Sequence, residues 1–237
     1  MTQEKREIIE VLLANRLYLY SLLYRCYGRD PDREQLELLA SEQTGEGFAL
    51  LGGEVLEKVP TFLTEIRKDL EEPEFLDRVK NEYMHLFVGP DKLIAPPWES
   101  VYQGEDAVLF QEVTLEVRKA YRAFGLCAEA YQRVPDDSLA LELAFMSTLA
   151  ERALDAFHAG DSAGVRTNLN GSAEFLRKHL LRWIPKFLER LAKSPTVCLY
   201  PQLSLILDSF LKKDAEMTEE ILEEYQAEEL QEHAADH

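Results

Sequence analysis

EYMHLFVGPDKLIAPPWESVY, residues Glu82–Tyr102, is the stretch that decides the fold. It begins with apolar residues at helical spacing, breaks at Gly89-Pro90, and passes through Pro96-Pro97 into Trp98, Glu99, Ser100, Val101 and Tyr102. A Pro-Pro step fixes two φ angles and removes two backbone donors, so neither a helix nor a central strand continues through it. The stretch therefore reads as a helix running into a stiff loop. Leu93, Ile94, Trp98 and Tyr102 are costly to leave in water. Either the loop is a corner that plugs the seam between two helical layers, or it holds aromatic surface ready for a peptide. Local physics leans towards the corner and leaves both readings open.

Outward from this stretch the apolar residues keep helical spacing, and no Asn-Gly or Asp-Gly turn separates alternating runs. Helices are expected at about 3–27, just after Asp30-Pro31, at 54–71, and at 73–88, with one at 110–125 beyond the loop. Pro135, Asp136 and Asp137 are expected to cap a strongly apolar helix at 138–158, and Gly160-Asp161 turns the chain into the next one. Pro185 should break or kink the run after Trp183, and Pro195 and Pro201 bound a last core helix at 201–213. The expectation is one all-α domain of about ten helices over residues 1–213, with joints between sub-bundles at 89–106 and 126–136. An acidic tail follows at 214–237, partly helical or disordered.

With 237 residues the chain can bury a sizeable core. Its formal charge is −18, and residues 214–237 hold ten Asp/Glu and no Lys or Arg, leaving −8 for the rest. This balance disfavours nucleic acid and anionic membrane and suits a basic peptide, although solubility alone also explains it. The first residues lack the basic, apolar and small-residue regions of a secretory signal, and no run approaches the roughly 18–20 apolar residues of a membrane span. Cys26, Cys127 and Cys198 are odd in number and widely spaced, as expected of reduced, buried thiols in the cytoplasm.

Catalytic signatures are missing: there is no GxxxxGK[ST], GxGxxG, HExxH or GxSxG. His85, His158 and His179 fall on different predicted helices, and His233 with His237 stands i, i+4 in the acidic tail as a weak metal pair or a solvated end. Glu142 falls on the apolar side of its helix with Met146, Leu149 and Ala153, where a carboxylate needs a partner or will protonate. With Asp136 and Asp137 just before it, it reads either as an acidic grip for a guanidinium or as one half of a structural ion pair with an internal arginine.

EYMHLFVGP followed by APPWESVY resembles the ExxxLFxGP…PPWxSVY block of the TorD/DmsD family, chaperones that mature molybdenum oxidoreductases, with NarJ a more distant relative. PDDSLALELAFM at 135–146 looks like the family's second block, and FLRKHLLRWIPKFLERL at 175–191 is similar to its HLxxWxPxF segment. The aromatic first helix, Tyr18 to Tyr24, also fits, so the likeness runs from about 8 to 212. It implies an all-α cytoplasmic chaperone, not an enzyme, that binds the twin-arginine signal peptide and the apo form of a molybdopterin-dependent oxidoreductase until its cofactor is loaded. Leu86, Phe87, Pro97, Trp98, Ser100 and Tyr102 match the first block, Pro135, Asp137 and Glu142 the second, and His179, Trp183 and Pro185 the third. Ser138 stands where the family has His. On this reading Asp137 and Glu142 meet the leader's guanidinium groups, and Phe87, Trp98 and Tyr102 line its apolar contact. No cofactor is implied beyond a weak contact with guanine nucleotide or molybdopterin guanine dinucleotide, and the oligomeric state is open between monomer and dimer. The competing readings are a nucleotide- or metal-dependent hydrolase on a helical scaffold and a partner-free assembly subunit.

Overall fold

Helix α1 (Gln3–Gly28) starts where Thr2 Oγ1 accepts the Lys5 N–H at 3.3 Å. The same device recurs along the chain in this computed structural model, which describes residues 2–89, 93–103, 107–127 and 135–235. Asp32 caps α2 (Arg33–Leu39), two residues later than the Asp30-Pro31 step suggests, and Ser41 caps α3 (Glu42–Ala49). A short 3₁₀ turn, Leu56–Lys58, leads into α4 (Val59–Asp69), and α5 (Phe75–Tyr83) widens into a π turn over Met84–Val88. After the Pro-rich loop come α6 (Ser100–Gln103), α7 (Ala107–Ala123), α8 (Leu139–His158), α9 (Ser162–Phe175), a second π turn (Leu176–Leu180), α10 (Leu181–Leu191) and α11 (Tyr200–Ala235). Among the described residues there is no strand, only an isolated bridge between Trp98 and Ser138. No described helix is long and apolar enough to cross a membrane.

The main core is built from one face each of α1, α8, α10 and α11, with α4 and α5 closing the side. Helix α8 lies between α1 and α9, while α11 packs on α9 and α10. Pro185 stays inside α10 instead of breaking it. It sits on an exposed face, so the hydrogen bond it removes falls on the solvent side, and the π turn just before it takes up the strain.

Helix α11 is the largest departure from the expected layout. It continues without a break past 213, and Met217, Ile221, Leu222 and Tyr225 bury against Ile9, Leu13, Phe157, Val165 and Leu169 in a second apolar cluster. The supposed tail is thus largely a helix with one buried face as far as Tyr225. Its first acid, Asp214, is fully buried, and Arg16 of α1 reaches it with Nε at 2.6 Å and Nη2 at 3.0 Å while Tyr20 donates to the same carboxylate at 2.6 Å. At the other end of α11, Glu82 accepts the N–H groups of Cys198, Leu199 and Tyr200 at 2.7, 2.7 and 2.9 Å. The first residue of the opening motif is therefore a helix cap supplied from 116 to 118 residues away.

Other expectations meet the structure unevenly. Cys26 is buried, Cys198 half-buried and Cys127 exposed, so only the first is a sealed thiol. Of the two expected joints, residues 90–92, 104–106 and 128–134 lie outside the described residues, as do His237 and the side chain of His233.

Removing one partner of the Arg16–Asp214 pair leaves a buried charge uncompensated, which typically costs about 3–5 kcal/mol. Asp214→Ala is expected to lower the unfolding free energy by that amount in urea. Arg16→Met combined with Asp214→Leu is expected to recover most of it. A double variant no more stable than the single one would show that the pair contributes more than its own neutralisation.

Candidate functional site

The Pro-rich loop is held against the start of α8 by short-range backbone pairing. The Leu139 N–H donates to Pro97 O at 2.9 Å, Trp98 bridges to Ser138, and the Glu99 N–H donates to Asp137 O at 2.9 Å. Asp137 then turns its carboxylate into the loop: Oδ2 accepts the Ser100 N–H at 2.9 Å and Oδ1 accepts the Thr114 hydroxyl at 3.0 Å. Asp137 therefore caps α6, while Ser138 caps its own helix α8 through the Leu141 N–H at 3.4 Å. The Asp137 cap expected on α8 is corrected in this way. Position 138 uses its hydroxyl for a task that a shorter polar side chain performs well.

Behind this loop lies a second row of side chains. His179 and Trp183 stand i, i+4 across the π turn and α10, so they project from one face. His179 Nδ1 is 2.9 Å from Glu99 Oε2, and Trp183 Nε1 donates to Glu142 Oε2 at 3.0 Å. Gln103 Nε2 binds the other Glu99 oxygen. Tyr102 stacks on Trp183 with centroids 5.4 Å apart and donates to Pro96 O at 2.8 Å, and Arg190 covers its ring at 4.5 Å. Phe187 joins this stack to Phe87, which sits among Tyr27, Tyr83 and Tyr200.

The structure thus brings Pro97, Trp98, Ser100, Tyr102, Asp137, Glu142, His179 and Trp183 to one seam between the loop, α8 and α10. Leu86 and Phe87 lie one layer deeper, in the core. Trp98 and Pro97 are half-buried, and the remaining members are buried. Glu142 has no internal arginine beside it; an indole N–H takes that place. Glu99 and Arg118 complete the seam and were not among the expected site residues. Glu99 was in plain view between Trp98 and Ser100, but its partner His179 is 80 residues on, and a loop position carries no periodicity that would place it.

The electrostatics are unbalanced. Glu99, Asp136, Asp137 and Glu142 are none of them more than 5% exposed. Facing them are Arg118, 2.6 Å from Asp136, and His179. Burial pushes the Glu142 carboxyl well above the usual range, and the neighbouring charge of Glu99 adds to it, while the Trp183 N–H opposes the shift. Tyr121, whose hydroxyl donates to Asp136 O at 2.9 Å, is raised by burial and then by the same four carboxyls. The surroundings of Glu142 therefore favour its protonated form. Its Oε1 is sealed from water without a hydrogen bond of ordinary geometry, on the carboxyl that feels Glu99 most strongly. Among the described residues no three His, Cys, Asp or Glu are placed to hold a metal ion.

Residues 53–189 match the nitrate reductase delta subunit family. A protein of Haemophilus influenzae named a probable Tat proofreading chaperone DmsD is 31% identical over 128 residues, 54% of this chain and 56% of that one. The chaperone protein TorD of Vibrio cholerae is 29% identical over 143 residues, covering 60% of this chain and 63% of its own. TorD of Shewanella pealeana is 26% identical over 213 residues, 86% and 90% of the two chains. The match thus spans a little over half the length of the first two relatives and most of the third.

A carboxyl that keeps its proton only when folded makes the native state bind more protons than the unfolded one, so stability falls as pH rises above the ordinary value near 4.5. Glu142→Gln is expected to match the wild type near pH 4 and to exceed it increasingly towards pH 8 in urea denaturation. Parallel stability curves for the two proteins would mean that Glu142 is ionised in the fold.

Proposed function

We propose, from the premise that this chain belongs to the nitrate reductase delta subunit family and is similar to TorD and DmsD, that it is a cytoplasmic chaperone for a molybdopterin-dependent oxidoreductase. It holds the client's twin-arginine leader at the seam of the Pro-rich loop, α8 and α10 while the apo enzyme receives its cofactor. The observation that carries this reading is that, among the described residues, four buried carboxyls at the seam face Arg118 and His179, with Lys186 and Arg190 turned to Tyr102 at its edge, beside a half-exposed tryptophan.

A buried site with excess negative charge is stabilised by an incoming cation, and a guanidinium satisfies two carboxyl oxygens at once. Glu142 is the acceptor with most to gain, because its Oε1 is buried without a hydrogen-bond partner and burial beside Glu99 disfavours its charged form. Among the described residues Asp137 uses two of its roughly four lone-pair positions, for Ser100 and Thr114, which leaves about two. Trp98, with Pro97 beside it, offers the apolar contact at the mouth. Tyr102, Trp183 and Phe87 are packed within, so they reach a peptide only as the seam parts, and their stack sets how far it opens.

Truncating a central aromatic anchor typically costs about 2–4 kcal/mol of binding. Trp98→Ala is expected to weaken a synthetic twin-arginine leader by about tenfold or more in calorimetry while leaving the fold intact, and affinity should fall as salt rises. An unchanged dissociation constant would remove Trp98 from the site, and a flat salt titration would remove the carboxyls.

A further inference from the structure

A cleft of about 460 Å³ lies between α5 and the segment before α11, where Glu82 caps that helix, and the buried polar network at Arg16 belongs to the packing of α11 on α1. A different cleft, of about 630 Å³, opens between α7, α8, α9 and the second π turn with α10, and of its lining residues the seam reading uses only His179. Its charge is opposite to that of the chain. Lys119, Arg177, Lys178 and Arg182 stand around it, against Glu116 and Glu174. The whole sequence has 26 basic and 44 acidic residues. Lys178 is paired with Glu174 at 2.5 Å, whereas Lys119, Arg177 and Arg182 form no ion pair among the described residues.

The floor of the cleft is aromatic. Phe145 meets Phe175 edge-on at 4.8 Å, and Phe124 meets Phe145 at 5.8 Å. Phe124 lies directly on the backbone of α9 at Gly171, where a Cβ would fall 2.1 Å from its ring. Glycine at 171 therefore leaves room for the tip of the Phe124 ring against α9, where any side chain would collide with it.

We propose that this cleft docks an acidic peptide segment of a partner protein, with one aromatic or branched side chain on the phenylalanine floor and carboxylates reaching the cations of the rim. A compact anion such as phosphate fits it poorly. The cations are spread along both walls, Lys119 on α7 facing Arg177, Lys178 and Arg182, and the floor offers apolar rings where a small anion needs converging donors. The volume suits one large side chain and its neighbours. A leader with an arginine pair is repelled here, so the cleft and the seam take partners of opposite sign, and this proposal does not depend on the seam reading.

The test uses the full chain and a fluorescein-labelled peptide in which Asp and Glu flank a central Phe, followed by anisotropy. Saturable binding is expected, weakening as salt rises from about 0.05 to about 0.3 M. The same peptide with Asn and Gln in place of the acids is expected to bind at least about tenfold more weakly, as is the acidic peptide to the double variant Arg177→Glu with Arg182→Glu. Both side chains are exposed, so the melting temperature of that variant should hold. Equal binding of the neutral peptide, an unchanged dissociation constant in the double variant, displacement by inorganic phosphate at matched ionic strength, or no saturation by about 1 mM would each overturn the proposal.

Discussion

The carboxylate of Asp137 is the group on which the rest of the seam depends. Its two oxygens hold the first amide of α6 and the Thr114 hydroxyl of α7, while its own carbonyl takes the Glu99 amide. Three elements that are separate in sequence meet on one fully buried residue. A buried carboxylate costs several kcal/mol in desolvation unless its hydrogen bonds are made, and here the strongest come from backbone and hydroxyl donors that cannot leave without unmaking the corner. The Pro96-Pro97 step complements this arrangement. It removes two amides that would otherwise need partners inside the corner, and Pro97 still offers its carbonyl to Leu139.

With Asp137 fixed, its neighbours have little freedom. Glu99 follows Trp98 into the interior and finds His179; Glu142, one turn into α8, finds the indole of Trp183. Two carboxyls brought together in low dielectric resist ionising together, and at Glu142 the balance is shifted towards the protonated form. A core satisfied only by holding a proton differs from one satisfied by ion pairs. A cation placed beside Glu142 would release that proton, the physical ground for the proposed cationic partner.

Much of this was legible in the sequence, for identifiable reasons. Pro and Gly mark the ends of most helices because their backbone constraints act locally, and the position of Glu142 on an apolar face follows from the 100° helical step alone. What escaped reading depended on distance in the chain. Asp137 was assigned to the helix it precedes, whereas its carboxylate caps one 37 residues earlier. Asp214 was counted among the charges of a tail because its partner, Arg16, lies at the opposite end of the chain. Glu82 stands on an amphipathic helix, and its three amide partners come 116 to 118 residues later in the chain. In each case local spacing gave the element correctly and could not give the pairing.

The Arg16–Asp214 pair also sets an order of events during synthesis. Arg16 leaves the ribosome 198 residues before Asp214, the carboxylate that pairs with it in the native core. At roughly 5–20 residues per second that is an interval of roughly 10–40 s in which α1 cannot bury its own guanidinium. The amides of α11 that Glu82 caps also arrive late in translation. The nascent chain therefore stays open along α1 until α11 has been made, and synthesis of that helix and closure of the core become nearly the same event.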